Sequence, residues 1–228
     1  TLKRFTGSLV GGTSWTAGRF GRAISFNGTD GYVSTLATGE MLGIDGKKSR
    51  TISFWAKASN NNPRSQPGFY GYGDTTCPNG LNKYWGIRSI KDGGYTQFIS
   101  QHWCWDPDVW VSEGVRDKWM HIAHIYTGTN VQVYVNGTIR RDWFKDDIDT
   151  GNRFALQFGR WTEETREDRT FKGLLDDFRV YDDWLSPLDI LSIYGNGSGD
   201  FQVVPTLEIP SVVDGSPVVG KIHFNRNG

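Results

Sequence analysis

Aromatic rings and carboxylates are concentrated between residues 69 and 110, in a pattern that suits sugar recognition. The candidate ligand-binding residues are Tyr72, Asp74, Trp103, Trp105, Asp106, Asp108 and Trp110. An aromatic ring stacks on the apolar face of a pyranose, and a carboxylate accepts hydrogen bonds from its hydroxyl groups. The alternative is that most rings in this stretch belong to the core, as we expect for strand positions such as Trp85.

Two cysteines lie in the same stretch. They are too few for a disulfide scaffold and lack a metal-binding spacing. Three consecutive predicted strands between residues 69 and 103 run in alternating directions, so segments 74–83 and 104–116 leave the sheet at one end. Cys77 and Cys104 are therefore candidates for a single disulfide, worth about 3–4 kcal/mol by chain entropy. Two free buried thiols are the alternative.

Residues for catalysis are not apparent. Glycoside hydrolysis needs two carboxyl groups about 5–10 Å apart, and the acid-rich run 161–168 lacks the alternation of a strand, so we interpret it as a charged loop. The acids in 146–149 are typical of a solvated turn. His121 and His124 lie three apart on a predicted strand, so they face opposite sides and cannot share a metal.

The elements that must position these residues are mostly short strands, because apolar and polar residues alternate with a period of two. The 228 residues include 29 glycines, and only 22% are charged. Turn signals recur along the chain, as in an all-β sandwich. The predicted strands are 23–26, 32–35, 51–58, 69–73, 84–90, 95–101, 119–126, 130–136, 154–159 and 174–181.

One helix is predicted near the end of this region. Ser186 is a suitable N-cap, and Pro187 suits the first helical position. Gly195 is a natural stop. Within the helix, the residues expected to face the core are Leu188, Leu191 and either Ile193 or Tyr194.

Four sequence blocks, in order, carry a family resemblance. They are residues 18–26 followed by Tyr32-Val33, residues 51–55 (TISFW), residues 118–123 followed by 133–137, and residues 171–181 followed by Leu185-Ser186. Together they resemble the laminin-G-like, concanavalin A-like jelly-roll family over roughly residues 7–194. The resemblance implies an all-β fold, a two-sheet antiparallel jelly-roll sandwich with one short C-terminal helix, followed by a β-rich tail.

The resemblance also implies a structural calcium ion. Asp176 occupies the position of the acid that opens the last strand and binds Ca²⁺ in related sandwiches, with Asn27, Gly28 and Asp30 as candidate partners. Calcium takes six to eight oxygen ligands, many of them carbonyls. The alternative for Asp176 is a strand-end acid that bonds to the backbone or to a nearby arginine.

We expect a jelly-roll domain over residues 1–195, a linker over 196–200 and a β tail over 201–228. The tail is either the start of a further β domain or a donor strand. Family members usually begin with an extra strand, whereas only six residues precede Gly7 here. An open edge invites a strand from another chain, so residues 218–224 are candidates for homo-polymer assembly by strand exchange.

Charge and hydropathy exclude other classes. Lys and Arg total 25 and Asp and Glu total 25, which argues against nucleic acid as the main partner. No apolar run reaches the roughly 18 residues of a membrane span. We therefore expect a non-catalytic module of a secreted or cell-surface protein that binds a glycan or an extracellular protein. The alternatives are an adhesive, self-assembling structural repeat and, less favoured, a glycoside hydrolase.

Overall fold

The computed structural model describes residues 5–63, 66–76, 82–92, 95–102, 109–113, 117–161, 169–196, 206–213 and 216–225. Two helices are present in these ranges, α1 (Gly39–Leu42) and α2 (Pro187–Asn196). The strands are β1 (Phe5–Val10), β2 (Thr13–Ala17), β3 (Arg22–Asn27), β4 (Tyr32–Thr35), β5 (Arg50–Ala58), β6 (Gly68–Gly73), β7 (Tyr84–Asp92), β8 (Tyr95–Gln101), β9 (Val109–Glu113), β10 (Met120–Tyr126), β11 (Asn130–Val135), β12 (Thr138–Phe144), β13 (Phe154–Phe158), β14 (Lys172–Tyr181), β15 (Thr206–Val213) and β16 (Ser216–Asn225).

The strands form two antiparallel sheets. Sheet A has the order β2-β3-β14-β5-β10-β11-β12, and sheet B has the order β1-β4-β13-β6-β7-β8-β9. Both sheets contribute side chains to one hydrophobic core. The predicted two-sheet antiparallel jelly roll is thus confirmed.

The core lies between the sheets and follows from the period-two pattern. In β5, Ile52 and Phe54 point inward and are fully buried, and Ile122 of β10 packs with them. From sheet B, Trp85 and Ile87 of β7 enter the same cluster. Burial of each large apolar side chain contributes about 1.5–3 kcal/mol, so the strand pattern itself stabilises the sandwich.

Helix α2 covers part of the outer face of sheet A, the face turned away from the core. Its start is capped reciprocally, because Ser186 Oγ accepts a hydrogen bond from Asp189 N (3.3 Å) and Asp189 Oδ2 accepts one from Ser186 N (2.9 Å). The predicted N-cap is confirmed. The helix buries Ile190 and Ile193, whereas Leu188 and Leu191 are exposed, so the expectation for these two leucines is wrong.

The tail strands form a hairpin that pairs within this chain. β15 and β16 are antiparallel to each other, β16 is parallel to β14 over Arg179–Tyr181, and β15 is parallel to β1 at Phe5 and Thr6. The hairpin therefore links the C-terminal part of β14 in sheet A to β1, the edge strand of sheet B. Strand donation to another chain and the domain boundary at residue 195 stay predictions. Neither described helix has the length and apolarity needed to cross a membrane.

Candidate functional site

Much of the predicted aromatic end lies outside the described residues, including Trp103, Trp105, Asp106, Asp108 and both Cys77 and Cys104. Trp110 lies on β9, opposite Ile99 of β8. Tyr72 is fully buried, and its hydroxyl donates to Ile44 O at 2.9 Å. The structure therefore corrects the prediction for Tyr72, because a core ring cannot stack on a ligand at the surface.

Asp74 begins the segment that follows β6 and is partly buried. Its Oδ1 accepts a hydrogen bond from Thr76 N (2.9 Å), and its own N–H donates to Lys83 O (2.8 Å). Gly73 pairs with Tyr84, and Tyr84 N donates to His102 O at 3.4 Å. The segments that follow residues 74 and 102 thus leave from the same end of the sheet, as expected. The Cys77–Cys104 disulfide stays a prediction.

A buried guanidinium supports this end of the sandwich. Arg50, at the start of β5, is fully buried. It donates to the carbonyls of Ile44, Gly46 and Lys48 and to the hydroxyls of Tyr72 and Thr150. Burial raises the pKa of Tyr72, and Arg50 opposes that rise. These bonds fix the segment after α1 against the sheets.

Asp176 is held by backbone amides. Its Oδ2 accepts from Phe20 N (2.8 Å) and its Oδ1 from Asp177 N (2.7 Å). Burial raises the pKa of this carboxyl, against the lowering effect of those amides. This bonding matches the alternative interpretation of a strand-end acid that bonds to the backbone.

The other proposed calcium ligands lie at a different place. Asn27 pairs with Lys172 of β14, four residues before Asp176. Asn27 Oδ1 accepts hydrogen bonds from the backbone amides of residues 29, 30 and 31, and its Nδ2 donates one to Asp30 Oδ1 at 2.7 Å. Asp176 is thus not brought together with Asn27, Gly28 and Asp30. Within the described ranges no three His, Cys, Asp or Glu residues are grouped as metal ligands, and calcium binding stays a prediction.

A surface that the sequence reasoning did not single out crosses the outer face of sheet B. Register pairing places one residue from each of six neighbouring strands in a line, which we call the outer row: Ser8, Ser34, Gln157, Gly71, Gly86 and Gln101. None of the six is charged, and two are glycines. Ser8 is exposed, and Ser34 and Gln157 are partly exposed. The row therefore offers hydroxyl and amide groups to solvent.

Aromatic and guanidinium groups border the outer row. Arg160 lies 3.5 Å over the ring of Tyr32, and its Nε donates to Gln157 Oε1 at 2.7 Å. At Gly86 an added Cβ would lie 2.7 Å from Tyr84 Cε1, so the Tyr84 ring packs over this glycine. Tyr84 in turn stacks on Trp161, with ring centroids 5.9 Å apart.

Beneath the outer row, on the inner side of sheet B, a chain of buried hydrogen bonds is present. His124 Nδ1 lies 2.6 Å from the Tyr70 hydroxyl, and His124 Nε2 lies 2.6 Å from Ser100 Oγ. Ser100 Oγ also lies 2.8 Å from His102 Nε2. Burial, and then His102 and Arg50, hold the pKa of His124 well below its usual value, so this imidazole is neutral.

His121 faces the opposite side of β10, as the spacing predicted. It is 1% exposed, and neither ring nitrogen has a hydrogen-bond partner. Burial, followed by Arg179 and Arg19, lowers its pKa to about 3. A neutral ring packed at 5.4 Å from Trp55 indicates a structural role.

Residues 27–191 match the family model of the concanavalin A-like lectin/glucanase superfamily. The chain belongs to this superfamily. Its members include both lectins and glucanases, so membership alone decides neither binding nor hydrolysis. No curated protein sequence matches the chain.

Solved structures share the fold of this superfamily member. Domain 4 of an extracellular GH43 arabinanase from Geobacillus stearothermophilus, in complex with arabinotriose, is 21% identical with a TM-score of 0.57, over 83% of this chain and 86% of that one. A heptameric SAP-like pentraxin from Limulus polyphemus is 18% identical with a TM-score of 0.61, over 88% and 95%. The binding domain of botulinum neurotoxin serotype G is 15% identical with a TM-score of 0.63; the match covers 86% of this chain but only 47% of that one.

Proposed function

We propose that the chain is a non-catalytic carbohydrate-binding module of a secreted or cell-surface protein, and that the exposed part of the outer row is its binding surface. The observation that carries the proposal is the line of uncharged hydroxyl and amide groups across adjacent strands, which continues from Gln157 into Gly71 and Gly86. Such groups both donate to and accept from sugar hydroxyls. Neighbouring strands lie about 4.8 Å apart, so the line is long enough for an extended oligosaccharide.

Similar proteins support this proposal. The arabinanase domain was solved with arabinotriose, and a similar toxin structure is described as depending on interaction with two ganglioside molecules for cell entry. Sugar binding is therefore a recurrent use of this fold. A protein partner is the alternative ligand, since another similar toxin domain was solved with rat synaptotagmin II.

Absence of catalysis is part of the proposal. Hydrolysis of a glycosidic bond requires a pair of carboxyl groups about 5–10 Å apart. None of the six residues of the outer row is Asp or Glu. The acids at 163, 164, 167 and 168 lie outside the described residues. The test for catalysis is therefore the release of reducing sugar from arabinan, xylan and laminarin. Release would overturn the non-catalytic assignment.

The predicted aromatic end extends this surface. Gln101, at the end of the outer row, lies two residues before Trp103. We include Trp103, Trp105, Asp74, Asp106, Asp108 and Trp110 as the continuation of the site, with the disulfide as its support. A structural Ca²⁺ ion bound by Asp30 and its neighbours or by Asp176 also belongs to the proposal. An unchanged Tm on addition of Ca²⁺ or EGTA would count against it.

The binding test compares two partly exposed glutamines, Gln157 and Gln132. Binding of arabinan, xylan and laminarin is measured by affinity electrophoresis and isothermal titration calorimetry. Gln157→Ala removes an amide from the outer row, and we expect affinity for the bound polysaccharide to fall by about tenfold, the loss of one or two hydrogen bonds. Gln132→Ala, on sheet A, is the matched control, because its amide donates to Asp142 far from the row. Equal affinities, or no binding by the wild type, would contradict the proposal.

A structural repeat that assembles by strand exchange is the second candidate. The tail hairpin has eight paired positions within itself, but only three with β14 and two with β1. Such short docking is easily exchanged with a second copy. Light scattering of the chain with and without residues 201–228 tests this candidate, and a monomer in both forms would exclude it.

A further inference from the structure

We propose that His124 is a positioning residue that reaches from sheet A and clamps β6 to β8 of sheet B, which fixes the spacing of the strands that carry the outer row. Its effect on ligand binding rests on the proposed function. The hydrogen bonds from His124 to β6 and β8 do not depend on that function, and NMR and hydrogen exchange measure them separately.

The geometry of the ring defines the clamp. His124 Nδ1 is 2.6 Å from the Tyr70 hydroxyl on β6, and its Nε2 is 2.6 Å from Ser100 Oγ on β8. Tyr70 and Ser100 are both register partners of Ile87 on β7. One imidazole therefore bonds to the two strands on either side of β7.

The ring also contacts the strand that it crosses. Its plane lies 5° from that of Trp85 on β7, with centroids 3.9 Å apart. Trp85 and His124 are fully buried. Three adjacent strands of sheet B, β6, β7 and β8, are thus held by this single side chain.

Each clamped residue precedes a residue of the outer row. The pairs are Tyr70-Gly71, Trp85-Gly86 and Ser100-Gln101. Successive side chains of a strand point to opposite faces, so the clamp acts on the inner side of the backbones whose outer side forms the row. Glycine within a strand loosens it, because no side chain packs there. Two glycines side by side in the row need this support from the inner face.

We assign one direction of hydrogen bonding to this chain, with Tyr70 as the first donor. The buried phenol of Tyr70 stays protonated, since burial raises its pKa well above the usual value, and it donates to His124 Nδ1. Neutral His124 then carries its proton on Nε2 and donates to Ser100 Oγ. Ser100 has one proton left to donate, and its second partner is His102 Nε2 at 2.8 Å. In this assignment the three hydrogen bonds share one proton order, from Tyr70 towards His102.

The test uses two variants that each remove one end of the clamp and one matched control. Tyr70→Phe and Ser100→Ala delete the hydroxyls that bond to His124. Tyr126→Phe deletes the hydroxyl of another core tyrosine, which donates to Gly128 O in the turn after β10 (2.9 Å) and does not contact His124 through a hydrogen bond. All three are first compared by thermal unfolding, so that a general loss of stability is measured separately.

Two readouts decide the clamp. In the wild type, ¹⁵N NMR is expected to show His124 protonated at Nε2 only. Hydrogen exchange at the amides of Gly71, Gly86 and Gln101 is expected to be at least about tenfold faster in Tyr70→Phe and Ser100→Ala than in Tyr126→Phe. Equal exchange in all three variants would overturn the clamp, whereas a proton on Nδ1 would overturn the assigned proton order.

Affinity then tests the link to function. For whichever of arabinan, xylan and laminarin the wild type binds, we expect about 3- to 10-fold weaker binding in the two clamp variants, the value of one hydrogen bond. The control should change less than about twofold. Equal loss in the control would refute the positioning role. If the wild type binds none of the three, the proposed function fails, and the NMR and exchange results still judge the clamp.

Discussion

His121 makes the stability of this domain depend on pH. The ring is 1% exposed, and its pKa is lowered to about 3 by burial and by the nearby Arg179 and Arg19. In the unfolded chain the same group titrates near 6.5. Between these values the unfolded state binds a proton that the folded state does not bind. The free energy of unfolding therefore has its full value above pH 6.5, and the His121 contribution lowers it progressively as the pH falls from 6.5 towards 3.

The magnitude follows from linkage. Each unit of difference between the two pKa values corresponds to about 1.4 kcal/mol. Between pH 7 and pH 4.5 the unfolded state holds up to one more proton than the folded state over about two pH units, so His121 alone removes about 2–3 kcal/mol of unfolding free energy. That amount is a large share of the roughly 5–15 kcal/mol that stabilises a typical domain.

His121→Phe isolates this contribution. Neither ring nitrogen has a hydrogen-bond partner, so a phenyl ring can retain the packing on Trp55 and Tyr194 without losing a bond. Urea unfolding is measured at pH 7 and pH 4.5. We expect the wild type to lose about 2–3 kcal/mol more than His121→Phe over this interval, while the loss from His124 is common to both proteins.

The control is Ile125→Val, which alters the same face of β10 without a titrating group. The difference in unfolding free energy between Ile125→Val and the wild type should be the same at pH 7 and pH 4.5. If His121→Phe and the wild type lose equal stability on acidification, His121 is not the neutral, desolvated group described above, and the reasoning fails.

Three further predictions concern backbone contacts, capping and the cysteines. Gly86→Ala would place a methyl group 2.7 Å from Tyr70 O; we expect a loss of about 1–3 kcal/mol in thermal unfolding and loss of polysaccharide binding, whereas a wild-type Tm would contradict this. Ser186→Ala removes the oxygen that accepts from Asp189 N; urea unfolding should show a cost of about 1 kcal/mol, and no cost would mean that the cap is dispensable. Peptide mapping without reductant should recover Cys77 and Cys104 cross-linked, and reduction should lower stability by about 3–4 kcal/mol; free thiols in the unreduced protein would refute the disulfide.

Two central strands of sheet A were predictable from sequence. In β5 and β10 the alternation of apolar and polar residues gave bounds within one residue of those observed, because the same alternation places one set of side chains in the core. β12 was not predicted. It is an edge strand in which only Trp143 is partly buried, so its sequence carries no alternation to detect.

Helix α2 shows a different limit. Its capping residues were correctly identified, since Ser186 and Asp189 bond to each other locally. Its buried face was identified only in part, because Ile190 and Ile193 lie against sheet A whereas Leu188 and Leu191 face solvent. A capping motif depends on neighbouring residues alone, but the buried face depends on how the helix docks.

The candidate site was least predictable where it depends on register. Ser34 and Gln157 are neighbours in sheet B although 123 positions separate them in the sequence. Serine, glutamine and glycine are common surface and turn residues, so none of them signals a site individually. The His124 bonds to Tyr70 and Ser100 likewise join residues 54 and 24 positions apart. Only the arrangement of the strands brings these groups together.

The sequence Gly-Phe-Tyr-Gly-Tyr-Gly of β6 could nevertheless have located the site. Its tyrosines, Tyr70 and Tyr72, enter the core, so the intervening Gly71 must face outward. A strand that places large rings inside and glycine outside leaves no side chain between its backbone and whatever packs on it. The aromatic content of this stretch predicted that Tyr72 binds the ligand. The alternation along β6 instead predicts that a ligand binds the outer face, on the side of Gly71. The inner substitution Tyr72→Phe should therefore lower stability alone, removal of an outer side chain in Gln157→Ala should lower affinity alone, and substitutions that break the His124 clamp should lower both.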